Sequence, residues 1–176
     1  MNGLSALSVS IGLLGGLATF LAVGPLSGVF LIWALTITWA AYFALGANDE
    51  AAINTAVCSV FGVVVATYAA YEIVTISPDA ALGFPLMAAI IVAATVTAMC
   101  LAANIKALAT IPATVLGYSA TFGYVLQTPG ILSTEVLGSV SWENPLLIVS
   151  FSLVLGLGFG IASNKLAAKL TTITEG

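Results

Sequence analysis

The sequence predicts an all-α, multi-pass membrane protein, and three observations carry that prediction. Hydrophobic residues fill 61% of the 176 positions while charged residues fill 6%; in a soluble domain about a quarter are charged. Six apolar runs reach about the 20 residues with which a helix crosses a hydrocarbon core of roughly 30 Å. Within them polar and apolar residues do not alternate, as membrane β-strands would; Ala, Leu and Gly dominate instead.

The expected spans are 4–24, 28–45, 51–73, 80–103, 108–127 and 145–163, in a single membrane domain that takes up 1–176. The first has no basic region before it, only Met1-Asn2-Gly3, and is expected to be a retained span rather than a secretory signal. Gly24-Pro25-Leu26-Ser27 reads as a tight turn into the second. Gly46-Ala47-Asn48-Asp49-Glu50 forms the next connection, and its acids suit the positive end of the third helix. Ser77-Pro78-Asp79 reads as a turn and cap before the fourth. Asn104-Ile105-Lys106 is a short joint before the fifth. The long connection is 128–144, headed by Pro129-Gly130 and ended by Trp142-Glu143-Asn144-Pro145. Its half-apolar middle, 131–140, suits a short surface helix or a cover over the mouth of the bundle.

Lys106, Lys165 and Lys169 set the orientation, because basic residues favour the cytoplasmic side. Six crossings put all three there, place both termini in the cytoplasm and leave 128–144 outside. Three spans per half would make the halves inverted repeats, as in many transporters. In sequence only faint echoes support that, such as Asn54 and Asn144 opening the third and sixth spans.

Several side-chain patterns recur at helical spacing. Ser8, Gly12 and Gly16 in the first span, and Ser152, Gly156 and Gly160 in the last, follow at intervals of four. Small residues let helices approach in lipid, so both stripes read as packing seams; the alternative is glycines that unwind a helix to offer carbonyls to a solute. Thr55, Ser59, Gly62 and Ala66 form a similar face on the third span. The fifth span separates Thr114, Gly117, Tyr118, Thr121 and Tyr124 from Ile111, Val115, Phe122 and Leu126. Its hydroxyl face should turn inward, either to pack or to line a solute path. Trp33 and Trp39 lie near the middle of the second span, where bulky filler at a helix contact is the plainer reading. Glu72, beside Tyr68 and Tyr71, is a candidate for an entrance, or simply an acid that reaches the surface.

Absences exclude much chemistry. There is no His and no Arg, and the two Cys, Cys58 and Cys100, lie in separate spans. Ser–His or Cys–His nucleophilic catalysis, a usual zinc set and a phosphate-binding glycine loop with its Lys are all missing. The cysteines read as small packing residues, and a net charge of -4 spread over loop acids implies no nucleic-acid partner. With no charge near the centre of any span, proton relays and voltage sensors are disfavoured. No cofactor, no metal and no enzymatic activity are expected.

The chain resembles the YcdZ-like small bacterial inner-membrane proteins (domain of unknown function 1097). The resemblance covers nearly the whole chain. It rests on Ala41-Tyr42-Phe43-Ala44, on Ile111-Pro112-Ala113-Thr114 with Gly117 and Thr121-Phe122, and on Asn144-Pro145 followed by Leu155-Gly156-Leu157-Gly158-Phe159-Gly160. It implies a compact multi-pass protein of the inner (cytoplasmic) membrane, and brings no substrate or catalytic residues. The 128–144 loop is longer than the family's usual connection.

The functional expectation is a channel or facilitator for a small neutral or weakly polar solute of the urea, amide, ammonia or short-alcohol class, in a homo-oligomer within the lipid bilayer. The rival is a scaffold or accessory subunit that binds other membrane proteins through its small-residue seams. A polar cavity along the fifth span would favour the first, and dry packing the second.

Overall fold

A computed structural model describes residues 2–172. Those residues form α1 (Gly3–Val23), α2 (Ile32–Ala44), α3 (Asp49–Val74), α4 (Phe84–Leu101), α5 (Ile111–Gln127), the one-turn α6 (Thr134–Leu137) and α7 (Pro145–Thr172). Two 3-10 turns, Ala102–Asn104 and Lys106–Leu108, join α4 to α5. Four stretches, Gly3–Val23, Asp49–Val74, Phe84–Asn104 and Pro145–Thr171, are long and apolar enough to cross a bilayer. The protein is therefore a multi-pass membrane protein with an all-α fold.

Local chemistry sets the helix ends. Asn2 and Asn48 cap α1 and α3, their side-chain oxygens accepting from Ser5 N and Ala51 N at 2.8 Å. The fourth helix starts later than its sequence suggests, at Phe84. Gly83, with φ +73°, caps it without a side-chain bond, and Pro85 sits in its first turn. Two expected spans are shorter as helices. α2 has 13 residues and α5 has 17, about 20 and 26 Å at 1.5 Å per residue. Gly28 at φ +79° and the turns through 26–31 delay α2 to Ile32, and Pro112 stands in the first turn of α5. α7 continues past 163 to Thr172, since no Gly or Pro interrupts it after Gly160.

The helices fall into two sets with one arrangement. α1, α2 and α3 match α4, α5 and α7 in order and in relative length. The first set has 21, 13 and 26 residues; the second has 18, 17 and 28. α3 lies along α5 with α4 on its flank, and α7 lies along α2 with α1 on its flank; α3 and α7 meet between them. The match reaches individual residues. Laying Ile32 on Ile111, a shift of 79, gives the same degree of burial at all eleven positions from Trp33 to Phe43 and from Pro112 to Phe122. Ile32, Ala34, Ala41 and Phe43 recur as Ile111, Ala113, Ala120 and Phe122, and Trp39 meets Tyr118.

Both long helices cross their short partner at a glycine. A methyl group at Gly62 would overlap the carbonyl of Thr114, and one at Gly156 the carbonyl of Leu35. Thr114 and Leu35 are related by the same shift of 79. One turn before each glycine, a side chain pins the stretch leading into the short helix. Ser152 Oγ accepts from Leu31 N at 2.9 Å, and Cys58 Sγ donates to Ala107 O at 3.6 Å.

The 128–144 loop closes one end of the bundle. Ile131 and Leu137 are buried with Tyr124, Val125, Ile148 and Val149. Asn144 organises it: Nδ2 donates to the carbonyls of Val136, Leu137 and Ser139 at 3.2, 3.1 and 2.7 Å, and Oδ1 accepts from Leu146 N at 2.9 Å. Trp142 Nε1 donates to Val29 O at 3.0 Å, tying the loop to the start of α2.

Candidate functional site

The hydroxyl face of α5 is buried, as its segregation from Ile111, Val115 and Leu126, all exposed, requires. Its polar atoms are spent on packing. Thr121 Oγ1 donates to Gly117 O at 3.0 Å and Thr114 Oγ1 to Thr110 O at 3.4 Å, each on the preceding turn. Tyr118 OH shares a 3.0 Å hydrogen bond with Thr95 Oγ1 of α4. Gly117 presses on the backbone of Ser59, in the contact that Thr55, Ser59, Gly62 and Ala66 of α3 bury from the other side. Thr114, Gly117, Tyr118 and Thr121 thus lie in helix contacts rather than beside open space. A threonine whose hydroxyl bonds its own helix carries no demand for water. Tyr124 differs: its OH donates to Glu143 O at 3.2 Å, and it reaches a cavity.

The two stripes of small residues part company. Ser152, Gly156 and Gly160 are buried against α2, where Gly160 faces the rings of Tyr42 and Trp39. Thr38 Oγ1 bridges the same contact to Leu153 O at 2.5 Å. Ser8, Gly12 and Gly16 are exposed, and a Cβ at Gly12 or Gly16 would meet nothing within 4 Å. The expectation that this stripe packs within the chain is corrected: α1 docks through the neighbouring face of Ala6, Ser10 and Ala18. There Ser10 Oγ donates to Ser163 O at 2.5 Å. Ser163 Oγ accepts from Trp39 Nε1 at 2.9 Å, so one serine ties α1 and α2 to α7 and supplies the partner that a buried indole needs. Glu72 is half-buried at the end of α3, near the Tyr68 phenol, and lines none of the cavities described here.

A cavity of about 400 Å³ opens between the start of α2 and the end of α5, lined by Trp33, Gly123, Tyr124, Gln127 and Thr128. Gly123 makes room for the indole, whose edge lies 3.7 Å from where a Cβ would stand. No lining residue is charged. Sequence reasoning passed over Trp33 as filler and missed Gln127 and Thr128. The available signal was an amide and a hydroxyl side by side where α5 ends.

The family model for DUF1097, proteins of unknown function, matches residues 8–168. The chain belongs to that family. No curated protein and no solved structure matches it. The DUF1097 match takes in both sets of three helices and the cavity between α2 and α5.

Proposed function

We propose that this DUF1097 chain is a six-span protein of the cytoplasmic membrane that moves a small neutral or weakly polar solute. The observation that carries the proposal is the match of α1, α2 and α3 with α4, α5 and α7 in order and packing, which reaches single residues between α2 and α5. Three spans per set give the sets opposite directions in the bilayer, and inverted halves are a recurrent transporter architecture. Contacts sort the connections onto two ends. Asn164 reaches Ala47 at one end, where Lys106 shares a groove with Glu50 and Asn54; Trp142 reaches Val29 at the other. Lys106 and Lys165 at the first end make it the cytoplasmic one. The short α2 completes its crossing through 24–31, non-helical backbone tolerated because protein groups satisfy it: Leu31 N by Ser152, Val29 O by Trp142. The dry packing of Thr114, Gly117, Tyr118 and Thr121 supports the scaffold reading, and the uncharged cavity where the end of α5 meets α2 supports movement of a neutral solute. The test is solute-driven swelling of proteoliposomes with urea, acetamide and glycerol. Faster swelling than in protein-free vesicles for at least one solute is expected; equal rates for all would refute transport.

One observation favours a second property. The exposed Ser8–Gly12–Gly16 face is flat enough for close helix approach in lipid, and it supports self-association of the chain through α1.

A further inference from the structure

We infer that the cavity at Trp33, Gly123, Tyr124 and Gln127 is the outward-open member of a symmetry-related pair of solute sites, whose cytoplasmic counterpart opens when it closes. The inference rests on the transport reading above and adds the site, the ligand class and the gate. The shift of 79 that relates α2 to α5 carries Trp33 to Pro112. It relates Gly123, Tyr124 and Gln127 to Ala44, Leu45 and Asn48. The counterpart therefore lies between the start of α5 and the end of α2, at the cytoplasmic end. In inverted repeats access alternates as one repeat rocks against the other, so closing the outer cavity would open its counterpart.

The two ends differ in how they are fastened. At the cytoplasmic end, Tyr42 OH donates to Ala47 O at 2.8 Å, and Asn164 Nδ2 donates to Ala47 O at 3.1 Å and to Tyr42 OH at 3.4 Å. Tyr42, Leu45, Ala47 and Leu157 pack into one cluster over this latch. Ala47 sits at φ +52°, a conformation that non-glycine residues seldom take unless held there. The shift of 79 carries Tyr42 and Ala47 to Thr121 and Leu126. Asn164 corresponds to Ala70, by the shift of 94 that relates Gly62 to Gly156. Thr121 spends its hydroxyl on Gly117 O, Ala70 has no polar side chain, and Leu126 is exposed. Among the described residues the latch thus has no symmetry equivalent at the outer end, where Trp142 and Tyr124 instead fasten the 128–144 loop through Val29 O and Glu143 O and leave the cavity at Trp33 open beside it.

The lining names the ligand class. With no charge, the site offers no counter-charge to an ion. The Trp33 ring provides a flat apolar wall, and Gln127 and Thr128 supply both donors and acceptors at its rim. A volume of about 400 Å³ falls in the usual range for ligand sites and accommodates a small planar amide with its water. The class is a neutral planar molecule that both donates and accepts hydrogen bonds, and acetamide is the probe.

The test labels single cysteines with a membrane-impermeant thiol reagent in the full chain reconstituted in liposomes, in a background with Cys58→Ser and Cys100→Ser. Gly123→Cys, whose Cβ would stand in ordinary contact with Trp33 at 3.7 Å, should be labelled from outside and protected by acetamide. Leu45→Cys, half-buried in the cluster over the latch, should be labelled slowly from the cytoplasmic side. Adding Asn164→Ala should speed Leu45→Cys about five-fold and slow Gly123→Cys, the population shift expected from losing about one net hydrogen bond. Tyr42→Phe should act in the same direction, which guards against a local effect of one substitution. Measurable solute flux without acetamide protection at Gly123→Cys would overturn the site and leave transport standing. Reciprocal labelling in a protein that carries no solute would overturn transport and leave the paired gates standing. Latch variants that change neither rate would overturn the gating.

Discussion

The crossing of α3 with α5 and that of α7 with α2 occupy equivalent places and are held by different physics. In the first, glycine stands on both helices: Gly62 meets the backbone of Thr114, and Gly117 that of Ser59. In the second, glycine stands on α7 alone, and Thr38 of α2, equivalent to Gly117, sends its hydroxyl across to Leu153 O. Apolar surface gains nothing by leaving lipid tails, so helices associate there through close van der Waals contact and interhelical hydrogen bonds. One crossing relies on the former throughout, and the other replaces half of it with the latter. A shared geometry can therefore persist while the residues that enforce it diverge.

That contrast orders a series of substitutions. Gly62→Leu should be the most damaging, exceeding the roughly 1–3 kcal/mol of ordinary overpacking, because backbone rather than a movable side chain opposes the new atoms. Gly156→Leu should follow closely; thermal unfolding in detergent would rank them, and an unchanged midpoint for either would break the account of that crossing. Thr38→Val should cost about 1 kcal/mol by removing an interhelical bond, whereas the reverse comparison, Gly117→Thr, should lower the midpoint nearly as far as Gly62→Leu, because its Cβ meets the backbone of Ser59. Tyr118→Phe should cost about 0.5–1 kcal/mol through the lost contact with Thr95 and leave any solute flux unaltered; altered selectivity would return α5's hydroxyl face to the solute path. Gly12→Leu should have the smallest effect, leaving the unfolding midpoint unchanged while weakening self-association measured by cross-linking in membranes. A lowered midpoint there would mean that α1 packs through the stripe after all.

Much of the helical layout was legible because apolar length and punctuation are local signals. Asn48 with its following acids and Pro145 mark helix starts whatever lies nearby. Contact partners were less legible. The spacing of Ser8, Gly12 and Gly16 matches that of Ser152, Gly156 and Gly160, yet spacing describes a flat face and not what rests on it. The hydroxyls of α5 correctly pointed inward, but Thr114 and Thr121 satisfy themselves on their own helix, so inward did not mean wet. The repeat was hidden because equivalent places carry different residues, as Thr38 stands where Gly117 does. The 128–144 loop also moves the correspondence from 79 between α2 and α5 to 94 between Gly62 and Gly156, so no single offset aligns the halves. The cavity needed the fold itself, since Trp33 and Gly123 are brought together only by the antiparallel passage of α2 and α5.

The inverted relation of the two halves is most directly tested at one pair of exposed positions, Ser27 and Lys106, which the shift of 79 makes equivalent. Each is replaced singly by Cys in a cysteine-free chain and labelled in sealed, oriented vesicles. Labelling of Ser27→Cys from outside and of Lys106→Cys from the cytoplasmic side is the expected result. Labelling of both from the same side would contradict it.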